Sequence, residues 1–281
     1  MMAMDKKWDG KIEIELENHP QRNETIINKI FFDGVSKTSS TLHLDKEKIP
    51  CYFLIHLGGG YLEGESCYND FHLKENTRAI LATQTATAIY KCLNGIPAKQ
   101  ISKIQLEKNS VLEYINDNTI LFKDAIYEQT TDIFMDPTST LILAEGMTAG
   151  WSPDGKPFQY KYAKMQNKIY FDNKLVLLDK LFLSPETNDM FSLGHFENYL
   201  NYGTALIINS KINSEFIENL REHLKQYDNI DVRYGVSKLE IPGLVIRALG
   251  DLTQDIQKII YGATNYARNH LLGSQDLDLR K

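Results

Sequence analysis

Four carboxylates occupy positions where a charged side chain is unusual. Two follow a run of glycines, one follows an apolar run, and one lies within another apolar run. They are Glu63, Glu65, Glu145 and Asp179. A carboxylate in such surroundings loses hydration energy unless it is paired or binds a cation. These residues indicate either cation handling or an acid–base pair, and a pair would require two of them within about 10 Å in the fold.

A Gly-rich block contains the first two of these acids. It reads G-G-G-Y-L-E-G-E from Gly58 to Glu65. Consecutive glycines interrupt a strand and let another backbone approach closely. On an extended chain Glu63 and Glu65 would share a face, since side chains alternate with period two. The block is no phosphate loop, because it lacks G-x-x-x-x-G-K-[ST] and no helical pattern follows it.

A Thr-rich run follows at residues 82–90, with the sequence A-T-Q-T-A-T-A-I-Y. Thr occupies every second position from Thr83 to Thr87, which predicts a strand with a hydroxyl-lined face. Such a face would hydrogen-bond a partner backbone or water. A solvent-exposed Thr ladder explains the same pattern equally well.

The remaining reactive side chains show no metal or catalytic spacing. The sequence has no H-E-x-x-H, paired C-x-x-C, G-x-S-x-G or dinucleotide motif. Its three cysteines, Cys51, Cys67 and Cys92, fit reduced, buried thiols better than a metal role. His56 lies in an apolar run, so we expect a core residue rather than a ligand. We therefore predict no catalytic residue and no tight metal site.

Composition excludes two classes of partner. The net charge of −6 lacks the basic footprint of a nucleic-acid surface. No apolar run reaches the length of about 18 residues that a membrane span needs.

The first residues, M-M-A-M-D-K-K-W-D-G, lack the apolar segment of a signal peptide, so we expect a cytoplasmic location. A hydrophobic content of 42% is sufficient for a buried core.

Residue patterning predicts a mainly β fold with two C-terminal helices. Residues 11–17 alternate between apolar and polar side chains, as in a half-buried strand. Turn signals recur at intervals of about ten residues, which favours many short strands. Two helical patterns alternate with strands near the C-terminus. We predict one domain over residues 1–281, with a β body at about 8–183 and an α/β layer at about 199–273.

Five motifs occur in an order that resembles the UreD (UreH) family of urease accessory proteins. The Gly-rich block matches Gly-Gly-x-x-x-Gly-acid, and T-Q-T-A-T-x-x-Y-K follows it. The other three are L-E-Y (112–114), E-x-x-x-x-G with G-K-P-F (145–158) and K-L-V-L-L-D (174–179). No single motif is specific, whereas the ordered set is.

The resemblance implies a β-helix-like stack of many short strands with two C-terminal helices. It also implies a non-catalytic scaffold that binds apo-urease with the accessory proteins UreF and UreG and helps insert nickel. The nickel would pass through an internal, water-filled passage lined in part by acids. Transient Ni²⁺ suits sparse carboxylate and water ligands, which release it more readily than thiolate or imidazole sets. No tightly bound cofactor is implied, and a dimeric assembly is left open.

The family's residues can be carried over to matching positions of this sequence. The acids of the nickel path fall on Glu65, Glu145 and Asp179. The other motif positions fall on Gly59, Gly60, Gly64, Thr87 and Tyr90. Three positions depart from the family pattern, which usually has a basic residue, an Arg and an acid there. They are Ala88, Trp151 and Lys156.

Two other functions are compatible with the residues alone. A β-helix carbohydrate-active enzyme would fit the strand density and the tyrosines, and it would need closely placed acids in an exposed groove. A protein–protein adaptor without a metal path would show an apolar docking surface and no continuous polar tunnel.

Overall fold

The computed structural model describes residues 7–22, 24–44 and 46–279, which form seventeen strands and two α-helices. The strands are β1 (Gly10–Asn18), β2 (Thr25–Gly34), β3 (Ser36–Thr38), β4 (Leu42–His43), β5 (Pro50–His56), β6 (Ser66–Leu73), β7 (Arg78–Thr83), β8 (Thr87–Ile89), β9 (Ala98–Leu106), β10 (Val111–Leu121), β11 (Ile126–Met135), β12 (Thr140–Thr148), β13 (Tyr162–Phe171), β14 (Lys174–Leu183), β15 (Asn201–Ile208), β16 (Val232–Lys238) and β17 (Gly243–Gly250). The helices are α1 (Ser214–Leu224) and α2 (Thr253–Ala267), followed respectively by a 3₁₀ turn (Lys225–Tyr227) and a π-helical turn (Arg268–Leu272).

The strands form two sheets. The seven-stranded sheet has the order β14-β13-β11-β9-β6-β1-β2. The ten-stranded sheet has the order β16-β17-β15-β12-β10-β7-β5-β3, with β4 paired to β5 and β8 to β10. From β5 to β13 the chain passes back and forth between the sheets, and neighbouring strands of this part are parallel within each sheet. The path is a β-solenoid of about 4 turns, which confirms the predicted β-helix-like stack with two C-terminal helices.

Alternation along the strands builds the apolar core between the sheets. The alternation predicted for residues 11–17 is present in β1, where every second side chain is buried. Equivalent positions of successive strands carry similar side chains, so each turn of the solenoid buries the face of the next. One such file consists of Ile14, Phe71, Ile104, Ile133 and Ile169.

The C-terminal strands extend the ten-stranded sheet and carry the helices. β15 pairs antiparallel with β12, β17 with β15, and β16 with β17. The side chain of Asn213 begins α1 by accepting a hydrogen bond from the Phe216 amide at 2.8 Å. Gly273, with φ of 68°, ends the helical segment that starts with α2. Among the described residues, no helix is long and apolar enough to cross a membrane.

A buried ion pair fastens the C-terminal segment to the solenoid. Arg268 and Glu113 are each 1% exposed and form a salt bridge. Arg78 Nη2 lies 3.0 Å from the other carboxylate oxygen of Glu113. Arg268 Nε also donates to the Gln275 carbonyl at 2.9 Å. A buried charge needs such partners because its desolvation is otherwise uncompensated.

The Thr-rich run is not one strand, which corrects the prediction for residues 82–90. β7 ends at Thr83 and β8 begins at Thr87, with a bend between them. The neighbouring strand β10 shifts register between Ile115 and Asn118, and it pairs with β7 before the shift and with β8 after it. The predicted row of Thr hydroxyls is therefore interrupted between β7 and β8, opposite the place where β10 shifts its register.

Candidate functional site

Polar side chains form a row inside the solenoid, beside the apolar core. They lie on the inner face of the seven-stranded sheet in two files of register partners. One file is Asn69, Ser102, Thr131 and Asn167, and the other is Cys67, Gln100 and Gln129. We call these seven residues the polar row. All of them except Gln100 are buried.

Tyrosine hydroxyl groups satisfy the glutamines of the polar row. Tyr61 donates to Gln100 Oε1 at 2.9 Å, and Tyr127 donates to Gln129 Oε1 at 3.3 Å. The two tyrosine rings pack edge to face with centroids 5.9 Å apart. Because an unpaired buried polar group costs about 1–3 kcal/mol, these bonds allow a polar row to exist inside the core.

A cavity of about 80 Å³ lies at one end of the polar row. The Gly-rich block, the end of β5 and the bend between β7 and β8 line this cavity, and Asn69 and Gln100 of the polar row line it as well. We call it the mouth cavity. Three motif positions from the resemblance, Gly59, Gly60 and Thr87, are among its lining residues.

Close backbone contacts hold the Gly-rich block in place. A Cβ at Gly60 would lie 2.6 Å from the Ala88 carbonyl oxygen and 3.0 Å from the Tyr90 ring. The Tyr61 amide donates to that same carbonyl at 2.8 Å, which ties the block to β8. Gly64 has φ of 77°, a conformation that glycine adopts without steric cost. Gly59 and Gly60 therefore form part of the wall of the mouth cavity, and the Tyr90 ring packs behind Gly60.

The turn at Gly64 separates the two acids of the Gly-rich block. Glu63 accepts hydrogen bonds from the amides of Asn94 at 2.7 Å and Ile96 at 3.1 Å, so it anchors a neighbouring loop. Glu65 faces the opposite way, and its side chain is 9% exposed. The prediction that these acids share a face is therefore wrong, because the chain turns between them.

Glu65 meets a histidine and a cysteine beside the mouth cavity. His56 Nε2 lies 2.7 Å from Glu65 Oε1, and Cys67 Sγ lies 4.0 Å from the same oxygen. The Leu62 amide donates to the other carboxylate oxygen at 2.9 Å. Burial raises the pKa of the Cys67 thiol to about 11, so the free thiol keeps its proton at neutral pH.

The other two predicted acids lie together at the far end of the polar row. Glu145 and Asp179 line an inner cavity of about 10 Å³, roughly the space of one water molecule. Glu145 accepts hydrogen bonds from Gln129 at 2.8 Å and from Asn167 at 2.6 Å. Asp179 pairs with Arg247 at 2.6 Å. Two members of the polar row thus bind directly to an acid of the inner cavity.

Glu145 lies in surroundings that disfavour its ionised form. Burial raises the pKa of Glu145; hydrogen bonds from Asn167 and Gln129 offset part of this rise, and the charge of Asp179 adds to it. A cation in the inner cavity would favour the ionised form of both acids.

The three departures from the family pattern lie outside the polar row. Trp151 is 52% exposed, and its ring centroid is 4.9 Å from that of Phe122. Lys156 pairs with Asp154 at 3.6 Å on the surface. Ala88 contributes its carbonyl to the contact with the Gly-rich block.

Sequence reasoning missed most of the residues that connect the predicted acids. It identified Glu65, which lies at the mouth cavity, together with the two acids of the inner cavity. The sequence predicts His56 as a core residue and Cys67 as a buried thiol, and it gives no prediction for the polar row. One local signal was available, because β6 alternates Cys, Asn, Phe and Leu on its buried face and half of that face is polar.

Comparison with known proteins gives matches over nearly the whole chain. A family model described as "UreD urease accessory protein" matches residues 9–281. A protein named Urease accessory protein UreD from Streptococcus thermophilus (strain ATCC BAA-250 / LMG 18311) is 38% identical over 278 residues, which cover 99% of this chain and 98% of the relative. Proteins of the same name from Ureaplasma urealyticum serovar 10 and Bacillus sp. (strain TB-90) are 37% and 33% identical, over 94% and 95% of this chain and 93% and 97% of their own lengths.

Proposed function

Because this chain belongs to the UreD family of urease accessory proteins, we propose that it is a non-catalytic scaffold of urease maturation. In this proposal it binds the urease apoprotein together with UreF and UreG in the cytoplasm. It also helps to deliver nickel, which is its cargo and not a resident cofactor. The observation that carries the proposal is the polar row, which runs from the mouth cavity to Glu145 and Asp179.

The chemistry of the polar row supports the transit of a divalent cation. A bare charge is strongly disfavoured in an apolar core, and fixed amide and hydroxyl dipoles reduce that cost. The row offers neutral oxygen donors at its centre and a carboxylate at each end. Such hard, sparse ligands hold a borderline ion such as Ni²⁺ weakly, so they allow it to leave again.

Exposed apolar side chains on an outer strand support a role in protein binding. Leu175, Leu178 and Phe182 on β14 are 51%, 53% and 52% exposed. Apolar residues on an edge strand are unfavourable in isolation and favour association with another chain. An adaptor without a metal path would explain this surface and would leave the polar row without a role.

The inner cavity argues against the carbohydrate-active alternative. Glu145 and Asp179 do lie close together, but the space between them holds about one water molecule. A sugar ring cannot reach them there. Among the described residues, the predicted acids do not meet in an exposed groove.

Co-expression with cognate UreF, UreG and apo-urease tests the scaffold proposal. We expect the four components to co-purify and urease to become active when nickel and GTP are added. Omission of this chain is expected to abolish both results. Normal maturation of urease without it, together with failure to co-purify, would refute the proposal.

Single substitutions test the metal path within the complex. Glu65→Ala and Asp179→Ala are expected to reduce nickel insertion while complex formation and the circular dichroism spectrum stay unchanged. Glu63→Ala is the matched control, since Glu63 belongs to the same Gly-rich block but anchors a surface loop. Full urease activation by both test variants would contradict a path through these acids.

A further inference from the structure

Three side chains of the types that bind transition metals converge beside the mouth cavity. The ligand atoms of His56, Glu65 and Cys67 all lie within 4.8 Å of one another. The side chains of His56 and Glu65 are 18% and 9% exposed, and Cys67 is 1% exposed. No other group of three His, Cys, Asp or Glu residues with this geometry occurs among the described residues.

The fold brings these residues together although their spacing matches no metal motif. His56 is the last residue of β5, and Cys67 is the second residue of β6. The Gly-rich block reverses the chain between the two strands, and Glu65 stands immediately before β6. Cys67 faces the interior as the first member of its file in the polar row. The site is therefore joined directly to that row.

The surroundings orient the ligands. The Leu62 amide holds one carboxylate oxygen of Glu65 at 2.9 Å and leaves the other toward His56. The His56 ring stacks on Tyr61 with centroids 4.4 Å apart. His56 Nδ1 is buried and has no hydrogen-bond partner among the described residues. The stacking on Tyr61 and the contact with Glu65 hold the ring with its Nε2 directed at the carboxylate.

The donor set selects a class of metal. Imidazole nitrogen, carboxylate oxygen and thiolate sulfur together suit Ni²⁺, Co²⁺ and Zn²⁺, whereas Mg²⁺ and Ca²⁺ prefer oxygen alone. Three protein ligands leave a coordination position for water, in contrast to the closed four-ligand sites of structural zinc. His56 is the one of the three ligands that lines the mouth cavity, so we expect an ion to approach the site from that side.

We infer that His56, Glu65 and Cys67 form a site for one borderline divalent transition-metal ion at the outer end of the polar row. The inference rests on the proposed function and deepens it, because the site would hold the cargo before it enters the row. On binding, the Cys67 S–H bond breaks, its proton passes to solvent and a sulfur–metal bond forms. A ring nitrogen of His56 and a carboxylate oxygen of Glu65 each donate a lone pair to the metal, and no electron is transferred.

Titration of the tag-free protein with Co²⁺ tests the site directly, because a cobalt–thiolate bond gives a charge-transfer band in the near ultraviolet. We expect one equivalent of Co²⁺ to produce this band in the wild type. Cys67→Ser is expected to lose it. His56→Gln and Glu65→Gln are expected to weaken Co²⁺ binding by about tenfold or more. Circular dichroism and thermal unfolding establish that each variant is folded.

Two matched controls are available in the same chain. Cys51→Ser removes another buried thiol, and His72→Gln breaks a His–Glu pair in which His72 Nε2 lies 2.6 Å from Glu107. Both are expected to bind Co²⁺ like the wild type. Absence of the band in folded wild-type protein, or its persistence in Cys67→Ser, would overturn the inference.

Urease activation separates failure of the site from failure of the proposed function. If the band appears but urease matures without this chain, the scaffold function is refuted and the metal site stands. If this chain is required but shows no band, the site is refuted and the scaffold stands. We expect Cys67→Ser to reduce activation at limiting Ni²⁺ while the complex still forms.

Discussion

At the scale of single residues, the buried carboxyl group of Glu145 makes the stability of the protein depend on pH. Burial raises its pKa in the folded protein above the ordinary value of 4.5, so the folded state holds this proton more tightly than the unfolded chain does. The resulting stability is fully present below the unfolded pKa and is lost as the pH rises through the folded pKa. At pH 7, which is above the unfolded pKa, Glu145 therefore contributes less to the stability of the fold than it does at low pH.

Glu145→Gln is expected to raise the free energy of unfolding at pH 7 and to lose this advantage near pH 4. Asn167 Oδ1 has no hydrogen-bond partner among the described residues, so the Asn167 amide can rotate to accept from the new side chain. Urea unfolding at both pH values measures the difference. Glu128→Gln, a half-exposed control, should change stability by about 0.5 kcal/mol or less. A Glu145→Gln protein that is less stable than wild type at pH 7 would contradict the argument.

Only some of the site residues could be predicted from local features of the sequence. Glu65, Glu145 and Asp179 could be predicted because an acid beside glycines or within an apolar run is a local feature of the sequence. His56 and Cys67 could not, since their approach to Glu65 depends on how the Gly-rich block turns between two strands. The same turn sends Glu63 away from the site.

At the scale of elements, the contact between the Gly-rich block and β8 depends on the absence of a side chain at Gly60. Gly60→Ala would press its Cβ against the Ala88 carbonyl, which is backbone and cannot rotate away. We expect a loss of about 1–3 kcal/mol, typical of overpacking, measured as a lower urea midpoint with an unchanged slope.

Gly235→Ala provides the control for Gly60→Ala. Gly235 lies in β16, and nothing is within 4 Å of its Cβ position. This change is expected to leave the urea midpoint unchanged or to raise it slightly, because alanine restricts the unfolded chain. Equal midpoints for the two variants would show that the block does not need glycine at position 60.

The attachment of the C-terminal segment to β10 should depend on the buried salt bridge. Glu113→Gln leaves Arg268 buried without a countercharge, so we expect a loss of about 3–5 kcal/mol in urea unfolding. Glu47→Gln, which alters a partly exposed partner of Arg78, should cost about 1 kcal/mol or less. The double variant Glu113→Leu/Arg268→Met is expected to recover part of the lost stability. A Glu113→Gln protein as stable as the Glu47→Gln protein would contradict the role of the salt bridge in attaching the C-terminal segment.

The elements themselves were predictable where burial follows a simple period. β1 alternates because one face is packed and the other is partly exposed, and the sequence carries the same alternation. Alternation gives the wrong prediction for residues 82–90. The Thr residues of this run alternate, but the bend between β7 and β8 is set by the register shift in the neighbouring β10, which lies elsewhere in the chain.

At the scale of the whole molecule, the polar row exists only because successive turns stack in register. Its members Asn69, Ser102, Thr131 and Asn167 are separated by unequal stretches of chain, since the loops between the strands differ in length. No fixed sequence period therefore marks the row. The architecture could be expected from the strand density and the resemblance, whereas the alignment of polar residues across four strands could be read only from the structure.

Interruption of the polar row at its inner end, next to Glu145, should separate metal binding at the outer end from metal delivery. Gln129→Leu replaces a buried amide by an apolar side chain of similar size and removes the donor to Glu145 at 2.8 Å and the acceptor of Tyr127. The unpaired groups should cost about 1–3 kcal/mol of stability. We expect Co²⁺ to bind at His56, Glu65 and Cys67 as in the wild type, and urease activation by nickel to fall several-fold.

The control for this last prediction is Gln166→Leu, the same substitution on the outer face of the adjacent strand β13. It should leave both Co²⁺ binding and urease activation unchanged, because it faces away from the row. Two outcomes are decisive for Gln129→Leu in protein that is folded and forms the complex. Reduced activation with normal Co²⁺ binding would place delivery downstream of the mouth cavity and through the core. Full activation would mean that nickel reaches urease by a route that does not cross the row, whatever the ligands at its outer end bind.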